Sequence, residues 1–186
     1  MRVISGFLKG KPIDYLKNSI TRPLKDIVKE GIFNTLKHSN LIKAEIKNAN
    51  IIDIYSGIGS FGIECISCGA HKVTFVEEDT EAVNILSANL NKLSILDKSK
   101  IIKGKIESVL TENINEKFNI FFLDPPFKDK NVIQNLKRIR NYKIFSSDHI
   151  VIIHRERKSD ENFDNLLKIV KIKQYGRSKI IFGEFR

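Results

Sequence analysis

From Asn50 onward, apolar and polar residues alternate in blocks that predict strands and helices in turn. We expect buried strands at five apolar runs: residues 50–55, 72–77, 99–103, 119–124 and 149–154. Most of these runs place apolar residues at successive positions instead of alternate ones, which is typical of strands covered on both faces of a parallel sheet. Helical patterns follow the first, second and fourth runs, over segments ending at Cys68 and covering 79–93 and about 130–140. The alternation predicts an α/β fold with a doubly wound, mostly parallel sheet.

The two ends of the chain show different patterns. Residues 166–185 predict a hairpin, which would add an antiparallel C-terminal edge to the sheet. Residues 2–13 predict a second, shorter β-hairpin. After it, apolar residues recur at helical spacing, with Thr21 as a candidate N-cap and Pro23 in the first turn: Leu24, Ile27, Val28, Ile32 and Leu36. We therefore expect a small N-terminal hairpin and helix extension over residues 1–40, and the α/β core over residues 41–186.

The charge of the chain is unevenly distributed. The formal net charge is +10 over 186 residues. Residues 1–50 carry 10 basic and 4 acidic side chains, residues 51–136 carry 9 and 12, and residues 137–186 carry 13 and 6. A general drift towards lysine would not leave the middle acidic, so the pattern favours a catalytic core flanked by surfaces that contact nucleic acid. The candidate surface joins part of the C-terminal tail to five basic residues: Arg2, Lys9, Lys11, Arg22 and Lys25.

Neither a membrane segment nor a secretory signal is predicted. No apolar run approaches the roughly 20 residues that span a bilayer, and the N-terminus has scattered charges instead of an apolar segment. Cys65 and Cys68 form a lone C-x-x-C within a predicted helix, so we expect them to pack in a reducing cytoplasm. We expect a cytoplasmic monomer without a metal site.

The first strand runs into a glycine-rich turn in the segment DIYSGIGSFGIE. Gly57, Gly59 and Gly62 form G-x-G-x-x-G, and Glu77 follows at the end of the second strand. Glycines let the backbone approach a ligand, and an acidic group at that strand end accepts hydrogen bonds from ribose hydroxyls, as in NAD-binding folds. A tight strand-to-helix turn that binds no ligand would show the same glycines.

Asp53 favours S-adenosylmethionine over NAD as the ligand of this turn. It lies within the first apolar strand, where NAD-binding strands usually keep an apolar residue. An unpaired buried carboxylate is costly, and two kinds of partner could satisfy it. One is an amide of the loop; the other is the ligand's ammonium group, reached through the loop or a water.

The fourth strand ends in Asp124, Pro125, Pro126 and Phe127. Prolines alone can terminate a strand, because they lack the N–H of a ladder. However, Asp124 is expected beside the glycine turn, at the carboxyl edge where open α/β sheets bind ligands. There the Asp124 carboxylate and the Pro125 carbonyl could each accept an N–H of an exocyclic amine, while Phe127 stacks on the base. The two motifs together predict methyl transfer to a base amine.

With these motifs, the chain resembles the RsmD-type 16S rRNA guanine-N2 methyltransferases over nearly its whole length. RVISGFLKGKPI and TRPLKDIVKEGIFNTL are similar to that family's opening segments. These segments are the discriminating ones, because the glycine turn and FLDPPF are shared with DNA amino-methyltransferases. The resemblance implies a Rossmann-like class I methyltransferase fold, S-adenosylmethionine as methyl donor, and small-subunit rRNA or a partly assembled 30S subunit as partner.

The resemblance also implies roles for individual residues. Catalysis and guanine binding would fall to Asp124, Pro125, Pro126 and Phe127. The cofactor would be held by nine residues: Asp53, Tyr55, Ser56, Gly57, Gly59, Glu77, Glu78, Lys105 and Ile106. Four positions depart from the family pattern. Leu24 replaces the usual Thr after the proline, Lys29 stands where Arg is usual, and Gly31 interrupts a helix. Lys105 stands where Asp or Asn often lies near the adenine.

Three alternatives remain open at this point. A DNA amino-methyltransferase acting on adenine or cytosine would usually need a target-recognition region, for which 186 residues leave little room. A non-catalytic rRNA-binding assembly factor would have no need for an intact Asp53, Glu77 and Asp124. An NAD-dependent dehydrogenase would have no use for the DPPF turn.

Overall fold

The protein is described by a computed structural model covering residues 1–15, 24–112, 114 and 116–186, without the side chains of residues 111 and 112. Its α-helices are α1 (Asp26–His38), α2 (Ser60–Ser67), α3 (Thr80–Lys92), α4 (Ile106–Glu112) and α5 (Val132–Tyr142). Its strands are β1 (Asn50–Ile54), β2 (Lys72–Glu77), β3 (Ser99–Lys103), β4 (Phe118–Leu123), β5 (Phe145–Glu156), β6 (Leu167–Tyr175) and β7 (Ser178–Phe185).

The strands form one seven-stranded sheet in the order β3-β2-β1-β4-β5-β7-β6. Strands β1 to β5 are parallel, and β7 runs antiparallel to both β5 and β6. The predicted doubly wound sheet with an antiparallel C-terminal edge is therefore confirmed. The strand order reverses between β1 and β4, and ligands of open α/β sheets bind at the carboxyl ends of strands at such a point.

Both faces of the sheet are covered by apolar residues. Phe61 of α2 stacks on Phe122 of β4 at 4.0 Å between ring centroids, and Phe33 of α1 contacts Phe61 on the same side. On the opposite face, Phe121 packs in a second cluster with Leu136 of α5. This two-sided burial explains why apolar residues occupy consecutive positions of the central strands instead of alternate positions.

The N-terminal segment is less regular than predicted. A single β-bridge joins Arg2 to Pro12, with backbone hydrogen bonds on either side of it, so the predicted hairpin lacks two regular strands. Val3 is buried in the same apolar cluster as Ile51 of β1. The N-terminal extension therefore shares the core of the sheet. The division of the chain at residue 40 stays a prediction.

The first helix begins later than its sequence pattern suggested. Helix α1 starts at Asp26, and its N-cap Lys25 makes no side-chain capping bond. The predicted cap Thr21 and Pro23 lie outside the described residues. Ile27 was wrongly assigned to the buried stripe, since it is 64% exposed.

Two departures from the family pattern have structural reasons in α1. Lys29 is fully buried and its Nζ lies 3.3 Å from Oε2 of Glu64 in α2, which also accepts a hydrogen bond from the Ile4 amide. Removing one partner of a buried ion pair typically costs about 3–5 kcal/mol, so this pair ties the N-terminal segment and α1 to α2. At Gly31, a Cβ atom would lie 2.1 Å from the hydroxyl oxygen of Tyr175 in β6. A side chain at this position would therefore displace the Tyr175 ring.

Some elements differ in extent from the sequence prediction. Helix α4 was not predicted, β5 is longer than the predicted 149–154, and α5 lies two residues later than expected. Cys65 is buried, as expected, and Cys68 Sγ lies 3.1 Å from the Ser5 hydroxyl. Within the described part of the chain, no helix is long and apolar enough to cross a membrane.

Candidate active site

A cleft of about 370 Å³ opens at the carboxyl edge of the sheet, where β1, β2 and β4 end. Six residues singled out in the sequence line this cleft: Tyr55, Glu77, Glu78, Lys105, Ile106 and Pro126. They come from four separate segments, which the parallel arrangement of the strands brings to one edge. The sequence-based cofactor and catalytic motifs therefore meet in space.

The glycine turn between β1 and α2 needs its glycines for backbone reasons. Gly57 and Gly59 have φ angles of 54° and 82°, in the left-handed region that side chains disfavour. A Cβ atom on Gly59 would lie 2.4 Å from Cδ1 of Leu86 in α3. At Gly57 a Cβ atom would meet nothing within 4 Å. Gly59 is therefore required by packing, whereas Gly57 leaves open space beside the backbone.

Asp53 lies beneath this turn, within β1. It is buried, and its Oδ2 accepts a hydrogen bond of 3.0 Å from the backbone N–H of Gly62 in the first turn of α2. Burial raises the pKa of Asp53 well above its ordinary value, and the Gly62 hydrogen bond opposes that shift only in part. Two kinds of partner were predicted for Asp53, and the structure shows a backbone amide. Asp53 therefore fixes the start of α2, which follows the glycine turn, by a hydrogen bond.

Glu77 closes β2 and faces the same turn. Its Oε2 accepts from the Gly57 N–H at 2.7 Å, and its Oε1 accepts from the Asp79 N–H at 2.9 Å. These bonds fix the carboxylate between the glycine turn and the start of α3. Next to it, the Glu78 carboxylate lies 3.7 Å from Lys105 Nζ at the edge of the cleft. Both of these side chains are more than half exposed, so we expect that pair to contribute little stability.

Tyr55 and Ser56 connect β1 to the turn. Tyr55 has a φ of 63°, which is uncommon for a residue other than glycine. Its hydroxyl accepts from Asn135 Nδ2 at 2.8 Å and also hydrogen-bonds to Asp129, and burial followed by the Asp129 charge raises the pKa of Tyr55. The buried hydroxyl of Ser56 has no hydrogen-bond partner among the described residues. Such an unpaired polar atom is costly unless a ligand or water satisfies it.

The catalytic candidate Asp124 has a partner that the sequence analysis did not name. His154, in β5, places Nδ1 at 2.7 Å from Asp124 Oδ1 and Nε2 at 2.8 Å from the hydroxyl of Ser178 in β7. Phe127 is 42% exposed and its ring meets the His154 ring edge-on at 5.4 Å. No other described side chain or backbone group hydrogen-bonds to the Asp124 carboxylate, so its second oxygen is available.

A buried arginine holds the turn that follows Asp124. Nη1 of Arg155 donates to the Pro126 carbonyl at 3.3 Å, and Nη2 donates to the carbonyls of Phe127 and Asp129 at 3.2 and 3.1 Å. Nη2 also pairs with the Glu161 carboxylate. The sequence analysis did not name Arg155 either. The Pro125 carbonyl is not used by Arg155 or by any other described residue.

None of the described basic residues of the N-terminus lines this cleft. Arg2, Lys9, Lys11 and Lys25 are exposed, whereas Arg22 lies outside the described residues. The amides of Phe7 and Leu8 donate to Ser67, which ends α2, whereas the glycine turn precedes the start of α2. Phe7 and Leu8 therefore pack at the end of α2 opposite the glycine turn, and they do not border the catalytic turn. RNA contact by the N-terminal surface stays a prediction.

Other cations lie closer to that turn. Arg157 follows β5 directly beyond His154 and Arg155, and its backbone N–H donates to the Arg177 carbonyl at 2.7 Å. The side chain of Arg177 is 85% exposed, beside Ser178. A surface of Arg157, Lys158 and Arg177 therefore borders the site of Asp124.

Known proteins resemble the whole chain. A family model described as conserved hypothetical protein 95 matches residues 1–184. YlbH of Bacillus subtilis (strain 168), named as a candidate rRNA methyltransferase, is 30% identical over 160 residues, which are 85% of this chain and 84% of YlbH. The ribosomal RNA small subunit methyltransferase D of Buchnera aphidicola (subsp. Acyrthosiphon pisum) is 29% identical over 156 residues, covering 84% of this chain and 78% of that protein.

Solved structures show the same fold. The Escherichia coli protein yhhF, named as a candidate methyltransferase, matches with a TM-score of 0.85 at 21% identity, over 100% of this chain and 98% of that chain. SMU.776, named as a candidate methyltransferase complexed with SAH, matches with a TM-score of 0.61 at 10% identity, over 81% of this chain and 49% of that chain. At these identities the likeness establishes the fold, which is that of the class I methyltransferases.

Proposed function

Because the chain belongs to the conserved hypothetical protein 95 family, that of the RsmD-type rRNA methyltransferases, we propose that it methylates the exocyclic N2 amine of a guanine in small-subunit rRNA. The methyl donor is S-adenosylmethionine. The observation that carries the proposal is that one cleft at the reversal of strand order is lined both by Tyr55 and Glu77, which flank the glycine turn, and by Pro126 of the Asp124 turn. One ligand in the cleft and one base above Phe127 would be neighbours there.

The residues around the cleft fit S-adenosylmethionine, which supplies a methyl group on an electrophilic sulfonium. Glu77 would accept hydrogen bonds from the ribose hydroxyls, since each of its oxygens keeps a second lone pair beside the bonds from Gly57 and Asp79. The open space at Gly57 and the unpaired hydroxyl of Ser56 suit the close approach of a polar ligand. SAH, the demethylated product of this donor, is bound by the structural neighbour SMU.776.

Asp124 and Pro125 would activate the amine. The N2 lone pair of guanine is delocalised into the ring, so the nitrogen is a poor nucleophile until its two hydrogens are drawn out of that plane. The free oxygen of Asp124 and the unused carbonyl of Pro125 are two acceptors for those hydrogens. After methyl transfer, Asp124 would take the proton that N2 loses. Phe127, with its exposed ring, would stack on the base.

The partner is small-subunit rRNA, either free or in a partly assembled 30S subunit, and we propose that a monomer acts on it in the cytoplasm. The net charge of +10 supports contact with a polyanion. The N-terminal surface would contribute phosphate contacts from five residues: Arg2, Lys9, Lys11, Arg22 and Lys25. Because Lys9 and Lys11 lie beyond the far end of α2, such contacts would reach RNA well away from the target base.

The experiment that tests the proposal is mass mapping of modified nucleosides in rRNA and DNA from cells with and without the gene. We expect one N2-methylguanine of small-subunit rRNA to disappear in the deletion strain and to return with the wild-type gene. Loss of an N6-methyladenine or N4-methylcytosine from DNA would instead support the DNA amino-methyltransferase. An unchanged set of nucleosides, together with a defect in subunit assembly, would support a non-catalytic assembly factor.

A further inference from the structure

A chain of hydrogen bonds runs from the catalytic candidate across two further strands. Asp124 follows β4, His154 lies near the end of β5, and Ser178 starts β7. These strands are neighbours in the sheet, so the three side chains meet although 30 and 24 residues separate them along the sequence. The imidazole is buried between the other two groups.

The partners of the imidazole determine which nitrogen carries its hydrogen. An ionised Asp124 can only accept, so Nδ1 of His154 must donate to it across the 2.7 Å contact. Nε2 of a neutral ring is then an acceptor, and the hydroxyl of Ser178 can donate to it across 2.8 Å. In the opposite tautomer, Nδ1 would carry no hydrogen, and two acceptors would face each other at the contact with Asp124. The Ser178 hydroxyl can donate or accept and so suits either tautomer, whereas the Asp124 carboxylate accepts only and therefore selects the tautomer with a hydrogen on Nδ1.

We propose that His154 is a positioning residue for methyl transfer, and that the Asp124 carboxylate selects its tautomer. The ring N–H holds one oxygen of Asp124, which stops the carboxylate from rotating and leaves the other oxygen directed at the amine of the substrate. The role of Asp124 as the acceptor of an N–H rests on the proposed function. The hydrogen bond that fixes its orientation does not.

A packing role is the competing explanation. The His154 ring also meets the Phe127 ring edge-on, so it could matter only by filling space under the stacking platform. Two substitutions separate the explanations. His154→Asn keeps an N–H at the position of Nδ1 but loses the ring. His154→Phe keeps the ring and loses the donor.

The kinetic test measures single-turnover methyl transfer to small subunits isolated from cells that lack the gene, with saturating S-adenosylmethionine. We expect His154→Phe to lower the transfer rate by about 10- to 100-fold, the scale of a misplaced catalytic group, with the KM for the subunit nearly unchanged. His154→Asn should keep more activity than His154→Phe, and Ser178→Ala should show a smaller loss. If His154→Phe equals wild type, or if His154→Asn is the poorer enzyme at equal folded fraction, the positioning role is refuted.

A spectroscopic test works without any substrate. The chain has four histidines, so the ring nitrogens of ¹⁵N-labelled protein can be assigned by comparison with His154→Asn. We expect a hydrogen on Nδ1 of His154 in the wild type, and a larger share of the Nε2–H tautomer in Asp124→Ala, which lacks the acceptor facing Nδ1. A bare Nδ1 in the wild type would overturn the inference. If wild type gives no N2-methylguanine while Nδ1 carries its hydrogen, the proposed function fails and the contact stands.

Discussion

Replacing Arg155 with methionine should loosen the catalytic turn and destabilise the protein. The guanidinium holds the carbonyls of Pro126, Phe127 and Asp129, and it pairs with Glu161. Methionine has a similar length and apolar stem but no donor. Three carbonyls and one carboxylate would lose their partner at once, directly beside the turn that is proposed to bind guanine.

The magnitude follows from how much water can replace the lost partner. Removing one member of a buried ion pair costs about 3–5 kcal/mol. The Glu161 side chain is 20% exposed, so it can regain some hydration and the lower end applies, about 3 kcal/mol. For a chain of this size, that corresponds to a fall in Tm of about 6–12 °C. Arg155→Lys keeps the charge but not the fork, and we expect a cost of about 1.5–2 kcal/mol.

The pair also predicts a dependence on pH. Burial raises the pKa of Glu161, but hydrogen bonds from Arg155 and Ser159 outweigh it, and the pKa is lowered overall. A carboxyl with a lowered pKa stabilises the fold above its ordinary pKa, and that stability is lost as the pH falls through the lowered value. The difference in unfolding free energy between wild type and Arg155→Met should therefore shrink on acidification.

Urea unfolding and single-turnover methyl transfer provide the assays, and Arg157→Met is the matched control for the measurement of stability alone. Arg157 is exposed and lies two residues away, so its loss should change stability by less than about 0.5 kcal/mol. The reasoning is refuted if Arg155→Met is as stable as the control. If stability falls but transfer proceeds at the wild-type rate, Arg155 stabilises the fold without holding the catalytic geometry.

Three further predictions concern the cleft and its surroundings. The pKa of Asp53 is raised by folding, so the protein loses stability as the pH rises through that raised pKa. Asp53→Asn should therefore gain stability relative to wild type between acid and neutral pH. If urea unfolding gives the same difference in stability between the two proteins at every pH, this reasoning is contradicted. Gly59→Ala forces a side chain at φ 82° against Leu86, and we expect about 2–4 kcal/mol of destabilisation in urea; a cost below about 1 kcal/mol would be inconsistent with the described turn. Replacing Arg157 and Arg177 with Glu should weaken RNA binding. The slope of log binding constant against log salt concentration should fall in magnitude by about 0.7 for each lost phosphate contact. Unchanged binding would favour the N-terminal surface as the RNA-binding surface.

The sequence predicted those parts of the site that lie within one short segment. The turn after β1 and the Asp124 turn each join an apolar strand to residues with a special backbone requirement, and Gly59 has the positive φ that its motif implies. Their meeting at one edge follows from the parallel strand pattern alone. Local patterns were therefore sufficient to place the two turns at one edge of the sheet, whereas the roles of their residues stay predictions.

Long-range partners were missed because no local pattern encodes them. His154 and Arg155 contact the Asp124 turn from 30 and 29 residues away, and the contact depends on β5 lying next to β4. One signal was available. His154 ends an apolar strand, as Asp124 does, and polar residues at the carboxyl ends of neighbouring parallel strands converge.

The N-terminal region shows the same limit. Gly31 looked unfavourable in the sequence of a helix and Lys29 departed from the family pattern, yet each lies against a distant residue, Tyr175 and Glu64 respectively. Ile27 fitted the helical stripe but faces outward, because residues elsewhere in the chain decide which side of α1 is covered. Periodicity locates a helix more reliably than it identifies the contacts of its side chains.

The most direct test of the account combines the product and the catalytic residue in one measurement. Purified wild type and Asp124→Ala are incubated with methyl-labelled S-adenosylmethionine and small subunits from cells without the gene, and the labelled nucleoside is identified by mass spectrometry. We predict N2-methylguanine from the wild type, and a rate at least about 100-fold lower from Asp124→Ala, which should still bind the cofactor. A methyladenine, a ring-nitrogen methylguanine, or wild-type turnover by Asp124→Ala would contradict the proposed reaction.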